Sequence, residues 1–240
     1  TKYFFDYSKY IFPLISGFLI VMLTRSVFAI MDTVFIQEEF PIQRVIFILS
    51  TALLIMGLEI GYTKFVFNII DKKTSKIVVV FNYFHLLGQY ILGLFFFYFI
   101  VLLCLSPFFI YLFIQYGIEF FDMIINSLTD PYFQELAATY FNFDELFLIF
   151  LLCSIPAFYV GIRLSFWSYF IIDCKIYGIE CMKKSWHLTS NKLSEVIAFG
   201  ILLLLFNLIG ALLIIGICFT VPISYLFFCL YFRHLITHQK

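Results

Sequence analysis

Between Tyr10 and Ile36 the chain carries only two charges, Arg25 and Asp32. A run of that length, at about 1.5 Å per residue, is long enough to cross the roughly 30 Å hydrocarbon layer of a bilayer as a helix. Five further runs follow, and those at 84–115 and 196–219 contain no Asp, Glu, Lys or Arg. With 63% of residues hydrophobic and 12% charged, the chain lacks the polar surface that keeps a soluble domain dispersed. These features predict an all-α fold: a polytopic transmembrane bundle of six spans, at 10–36, 42–66, 84–115, 145–172, 196–219 and 222–238. Short amphipathic interfacial helices are expected between them. No linker or shift in composition divides the chain, so a single domain over 1–240 is expected.

Several features qualify this outline. Apolar character around the third span begins near Val78 and lasts to Tyr116, more than a straight span needs. That segment must tilt, kink at Pro107 or begin as an interfacial piece. Pro222 suits the start of the sixth helix. Gly57-x-x-x-Gly61, and Gly210 with Gly216, allow close helix approach. The first apolar run is too long for a signal-peptide core, so no cleavable leader is expected.

Charge orients the spans. The fifteen basic and fifteen acidic residues cancel, which removes the basic surplus that nucleic-acid binding wants. If six spans alternate, twelve of the fifteen basic residues fall on one side: Lys2, Lys9, Lys64, Lys72, Lys73, Lys76, Lys175, Lys183, Lys184, Lys192, Arg233 and Lys240. The positive-inside rule makes that side, and both termini, cytoplasmic. The stretch 117–144 holds Glu119, Asp122, Asp130, Glu135 and Asp144 without a lysine or arginine. It is expected outside, as short amphipathic helices.

Ionisable groups within spans are costly and face the bundle interior, a partner or a polar cavity. Arg25, Asp32, Glu59 and Arg163 are in this class. Counting helical rise puts Glu59 and Arg163 at similar depth, and they are expected to pair or share a cavity. Arg25 and Asp32, seven residues apart, share one face of the first helix. Asn207 is a further intramembrane polar residue. In 173–195, Ile176, Ile179, Met182 and Trp186 recur at three- and four-residue spacing, with Lys175, Lys183 and Lys184 largely off that stripe. This predicts an interfacial helix with its apolar side in the headgroup boundary. Ile69-Ile70-Asp71 and Ile171-Ile172-Asp173 each close an inward-running helix ahead of a basic stretch. The match reads as shared interfacial chemistry, because it does not coincide with a three-plus-three grouping of spans.

Chemistry-bearing patterns are sparse. The six cysteines are dispersed and suggest neither a disulfide framework nor a zinc site. His234 and His238 have the i, i+4 spacing of a two-histidine metal face, but lack an accompanying glutamate and read as a solvated helix end. His85 and His187 stand apart from any nucleophile. The 35 phenylalanines are read as lipid-facing bulk, favoured by an AT-rich genome. No catalytic, cofactor or metal residues are expected.

From Ile155-Pro156 through Ile172-Asp173, Ile179-Glu180-Cys181-Met182-Lys183-Lys184-Ser185-Trp186, Asn207, Gly210, Gly216, Thr220-Val221-Pro222 and Tyr231, the chain resembles an uncharacterised family of bacterial integral membrane proteins. A related module forms the membrane domain of some glycerophosphodiester phosphodiesterases. Gly57 to Asn68 and the basic turn after it are similar to the family's first half. The resemblance implies a six-helix protein of the cytoplasmic (inner) membrane and brings no activity with it. An organelle-encoded subunit from an AT-rich genome is the alternative origin. The leading functional expectation is a non-catalytic subunit or scaffold that docks to or stabilises other membrane proteins in the bilayer. A small-molecule or ion transporter or channel comes second, and a lipid-acting membrane enzyme third.

Overall fold

The computed structural model describes residues 10–35, 41–72, 76–118, 122, 142–213 and 216–237. Within these residues the chain is all helix: α1 (Ile11–Phe35), α2 (Pro41–Ile70), two short 3-10 segments (Ile77–Phe81 and Phe84–Leu86), α3 (Leu87–Tyr116), α4 (Phe143–Arg163), α5 (Trp167–Ile172), α6 (Ile179–Thr189), α7 (Leu193–Leu212) and α8 (Ile217–Thr237). Six helical stretches are long and apolar enough to cross a membrane: Ile11–Met31, Val45–Ile70, Ile77–Tyr116, Phe143–Ile172, Leu193–Leu212 and Ile217–Thr237. On that basis the chain is an integral membrane protein. Most of the acidic 117–144 segment lies outside the described residues, as do His238 and the side chains of Asp32 and Arg44.

Contacts cluster into two compact units, one formed by Thr1–Gly93 with Phe166–Lys240 and the other by Leu94–Ser165. Both boundaries fall inside apolar runs, so no linker marks them in the sequence.

The first unit has a core of large side chains. Phe65, Phe67, Phe166 and Phe232 are fully buried, with Ile60, Ile69, Val80 and Ile171 around them. Their rings interlock. Phe67 meets Tyr169 and Phe232 edge-on at 5.6 and 5.9 Å, and Phe166 stacks on Phe232 at 5.6 Å. Pairs of this kind are worth about 0.5–1.5 kcal/mol each beyond the area they bury. Part of the phenylalanine content therefore builds a core, which corrects the reading of these residues as lipid-facing bulk.

The third apolar run begins with the 3-10 segments, and α2 shapes that beginning. The Gly61 position lies directly against the Val80 backbone carbonyl, and Gly57 lies against the Phe84 ring. A side chain at either glycine would push the segment away. The Gly57/Gly61 pair thus receives a 3-10 segment rather than a transmembrane helix. At the other hairpin, a methyl on Gly216 would meet the Gly210 carbonyl, and one on Gly210 would meet the Thr220 side chain. α8 begins at Ile217, directly after Gly216, and Pro222 sits in its second turn. The expectation that Pro222 opens the helix is corrected: the glycine contact, not the proline, sets the start.

Among the described residues the second unit is thinner. Leu112, Leu146 and Leu164 are buried, the first two packed with Phe108, Tyr111 and Tyr116. Phe108 meets Phe150 edge-on at 5.3 Å. An apolar groove of about 720 Å³ runs along Phe97, Val101, Leu105, Phe150, Ile155 and Phe158. Asn142 caps α4, its side chain accepting from the Glu145 amide. Pro107 lies inside α3 and removes the donor that the Leu103 carbonyl would otherwise receive. The Ser106 hydroxyl supplies a replacement at 2.7 Å, as the lack of water in a bilayer requires.

Candidate functional site

Four charged residues converge at the basic end of the first unit. Lys64, two turns before the end of α2, donates to Asp173 Oδ1 at 3.0 Å. Arg233 of α8 places Nη1 2.8 Å from Asp173 Oδ2 and gives Nη2 to both oxygens of Asp71 at 3.1 Å. Its guanidinium also lies over the Phe67 ring, 5.2 Å from the centroid. The Asp173 side chain is only 5% exposed and Lys64 16%. Charges this secluded are held by one another, because a low-dielectric surrounding makes any unpaired member expensive. Asp71 and Asp173 are the acidic residues of the two Ile-Ile-Asp motifs, and one arginine grips both. The motif match therefore has a common physical purpose beyond interfacial chemistry.

One to two helical turns away from this network lies a cavity of about 320 Å³. Its wall comes from one stripe on each of several helices. These are Phe18, Val21, Met22 and Arg25 on α1; Glu59, Tyr62 and Thr63 on α2; Tyr90 on α3; Ser168 and Ile172 on α5; and Val221 and Tyr225 on α8. The spacings of three, four and seven residues are those that align side chains on one helix face. The Thr63 hydroxyl donates to the Glu59 carbonyl at 2.7 Å. Its single proton is thereby used, so the Tyr225 hydroxyl is the donor in the 2.6 Å contact between them. The Tyr62 ring lies tilted against Tyr225 at 5.4 Å, and its hydroxyl donates to the Leu14 carbonyl. Toward the network, Phe67, Phe228 and Phe232 follow the cavity-lining residues on α2 and α8 and close that end.

An ion pair stands on the cavity wall. Arg25 Nη2 lies 2.5 Å from Glu59 Oε1, with 53% and 36% of the two side chains exposed. Arg25 is about 21 Å along α1 from its start, and Glu59 about 17 Å from the end of α2, so both lie inside apolar stretches long enough to cross a membrane. Exposure there has a physical consequence. Half-covered charges in hydrocarbon cost several kcal/mol, so a polar group of a ligand, water or another molecule must complete their shell.

Within the first unit Glu59 meets Arg25, brought to it by the antiparallel hairpin of α1 and α2; Arg163, its expected partner, belongs to the second unit. Arg163 turns along its own helix, donating from Nε and Nη2 to the Tyr159 hydroxyl at 3.0 and 2.8 Å. Asn207 accepts from the Ser224 hydroxyl at 3.0 Å and ties α7 to α8. Lys64, Asp173 and Arg233 were missed as a site because hydropathy counts them as terminal charges. The paired Ile-Ile-Asp motifs were the available signal.

The interfacial segment forms α6, and Cys181, Met182, Ser185, Leu188 and Thr189 are its buried residues. Ile179 and Trp186 are exposed, Ile176 is half-buried, and Lys183 and Lys184 point outward. Ser185 fixes the packed face, since its hydroxyl accepts from the Phe166 amide at 3.1 Å and pins α6 to the start of α5. Burial pushes the Cys181 thiol up to about 11 and also raises Cys174, beside Asp173. Neither thiol is a ready nucleophile at neutral pH.

Among the described residues, no three His, Cys, Asp or Glu side chains are grouped to hold a metal ion. The cavity wall contains neither histidine nor cysteine, and its one carboxylate faces an arginine. Such an arrangement suits binding through charge and hydroxyl contacts. Comparison of the chain with protein-family models, curated proteins and solved structures finds no match.

Proposed function

We propose that this chain is a non-catalytic protein of the bacterial cytoplasmic membrane, termini inside, that binds a small solute within its spans, as transporters do. The carrying observation is the Arg25–Glu59 pair on the wall of a 320 Å³ cavity also lined by Tyr62, Thr63, Tyr90, Ser168 and Tyr225. A cavity of that size is at the small end of ligand sites. A solute bearing both an anionic and a cationic group would meet Arg25 with the first and Glu59 with the second. The asymmetric distribution of lysine and arginine supports the orientation, and the resemblance of 155–231 to a bacterial membrane family supports the compartment.

The test is a stability screen of the protein in nanodiscs against zwitterionic solutes such as amino acids and betaines. A true ligand at a hundred times its Kd adds about 2.7 kcal/mol of stability, and Glu59→Gln abolishes the gain. A second reading, a subunit that docks other membrane proteins, is favoured by the second unit's thin core. It gains ground if no solute shifts stability while a stoichiometric partner co-purifies from native membranes in mild detergent.

A further inference from the structure

A second recess lies at the basic end of the first unit, apart from the cavity. It measures about 780 Å³ and is open on one side. One wall is α6, where Lys183, Lys184 and His187 fall on the side opposite its buried residues. The floor is Phe170, Ile176 and Ile236, where α5 and α8 reach the ends of their membrane spans. Glu180 also lines the recess and offsets part of the charge, leaving a cationic surplus.

The pairing of these groups carries the inference. The recess joins apolar side chains near the ends of two candidate spans to cations on α6. Neither Lys183 nor Lys184 has an ion-pair partner among the described residues. The helix that carries them is fixed by Ser185 and by its buried face, so both ammonium groups are presented by a rigid support. Trp186 and Ile179, exposed on the flank of the same helix, suit the boundary between water and hydrocarbon.

We propose that this recess binds an anionic glycerophospholipid of the leaflet it faces. The lipid phosphate sits between Lys183, Lys184 and His187, and the glycerol and first acyl carbons lie on Phe170, Ile176 and Ile236. A soluble phosphate would use the same cations but gain nothing from the floor. The assignment is independent of the cavity and its solute.

The experiment places the full chain in nanodiscs containing phosphatidylcholine with phosphatidylglycerol, then releases it into detergent and counts retained lipids by native mass spectrometry. Wild-type protein should retain phosphatidylglycerol in preference to phosphatidylcholine. Each lysine near a charged headgroup is worth roughly fivefold in binding, so K183Q/K184Q should lose about thirtyfold of that preference. K76Q, at another exposed lysine, should keep it. These substitutions remove exposed side chains, and an unchanged unfolding temperature verifies the fold. Equal retention of both lipids by wild type would overturn the proposal. So would an equal loss in K76Q, which would mean a diffuse surface potential. Displacement of the lipid by inorganic phosphate at matched concentration would likewise overturn it and point to a soluble-anion site.

Discussion

In the first unit, helices meet through four fully buried phenylalanines and a chain of four charges; in the described part of the second, a small leucine-centred cluster and a tyrosine–glutamate hydrogen bond do the same work. Both units are strongly apolar, so apolar content does not separate them. Lipid tails solvate phenylalanine about as well as another helix does, and association in a bilayer must come from shape and polar pairing. The first unit has both. In the second, the described residues join α3 to α4 through the Phe108–Phe150 edge contact and the Tyr111–Glu145 bond at 2.9 Å. Fixed geometry therefore collects in the first unit, and so do the cavity and the lipid recess.

The largest effect should come from Arg233→Leu. It leaves Asp71 without its bidentate partner and the buried Asp173 with Lys64 alone. Loss of about 3–5 kcal/mol is expected, measured by unfolding in mixed micelles. A loss under about 1 kcal/mol would reduce the network to a surface pair and remove the contrast between units.

Two matched glycine substitutions sharpen the comparison by sign. Gly61→Ala drives a methyl into the Val80 carbonyl and should cost about 1–3 kcal/mol. Gly161→Ala in the second unit meets nothing within 4 Å and should be neutral or stabilise by up to about 1 kcal/mol. The same micelle unfolding assay reads both, and an equal cost at the two positions would contradict the packing described. The smallest effect belongs to Tyr111→Phe, which removes one interhelical hydrogen bond. About 0.6 kcal/mol is expected, with faster amide exchange near Leu112 and Leu146 as the accompanying signal.

The spans were legible because bilayer thickness and helical rise leave little freedom: α1, α2 and α7 begin or end within a few residues of the apolar runs. Facing directions were not. In a membrane helix, lipid-facing and protein-facing positions are both apolar, so hydropathy does not tell Phe67, fully buried, from Phe95, which is 62% exposed. On α6 the packed face was not legible, because Ser185 and Thr189 read as polar yet point inward. Arg25 and Glu59 were each recognisable as costly, but their partnership depends on which helices are neighbours. That information is not in either residue. Lys64, Asp173 and Arg233 read as ends of spans until three helix ends were brought together.

The charge network also has a consequence in time. Asp71 and Arg233 are 162 residues apart in the chain. At the usual pace of a ribosome, roughly ten to thirty seconds separate their synthesis. Through that interval Asp71 lacks its guanidinium partner, and Asp173, once made, has only Lys64. Insertion of α8 is then the event that completes assembly. A nascent chain stopped before Arg233 would lack the one side chain that ties Asp71 to Asp173.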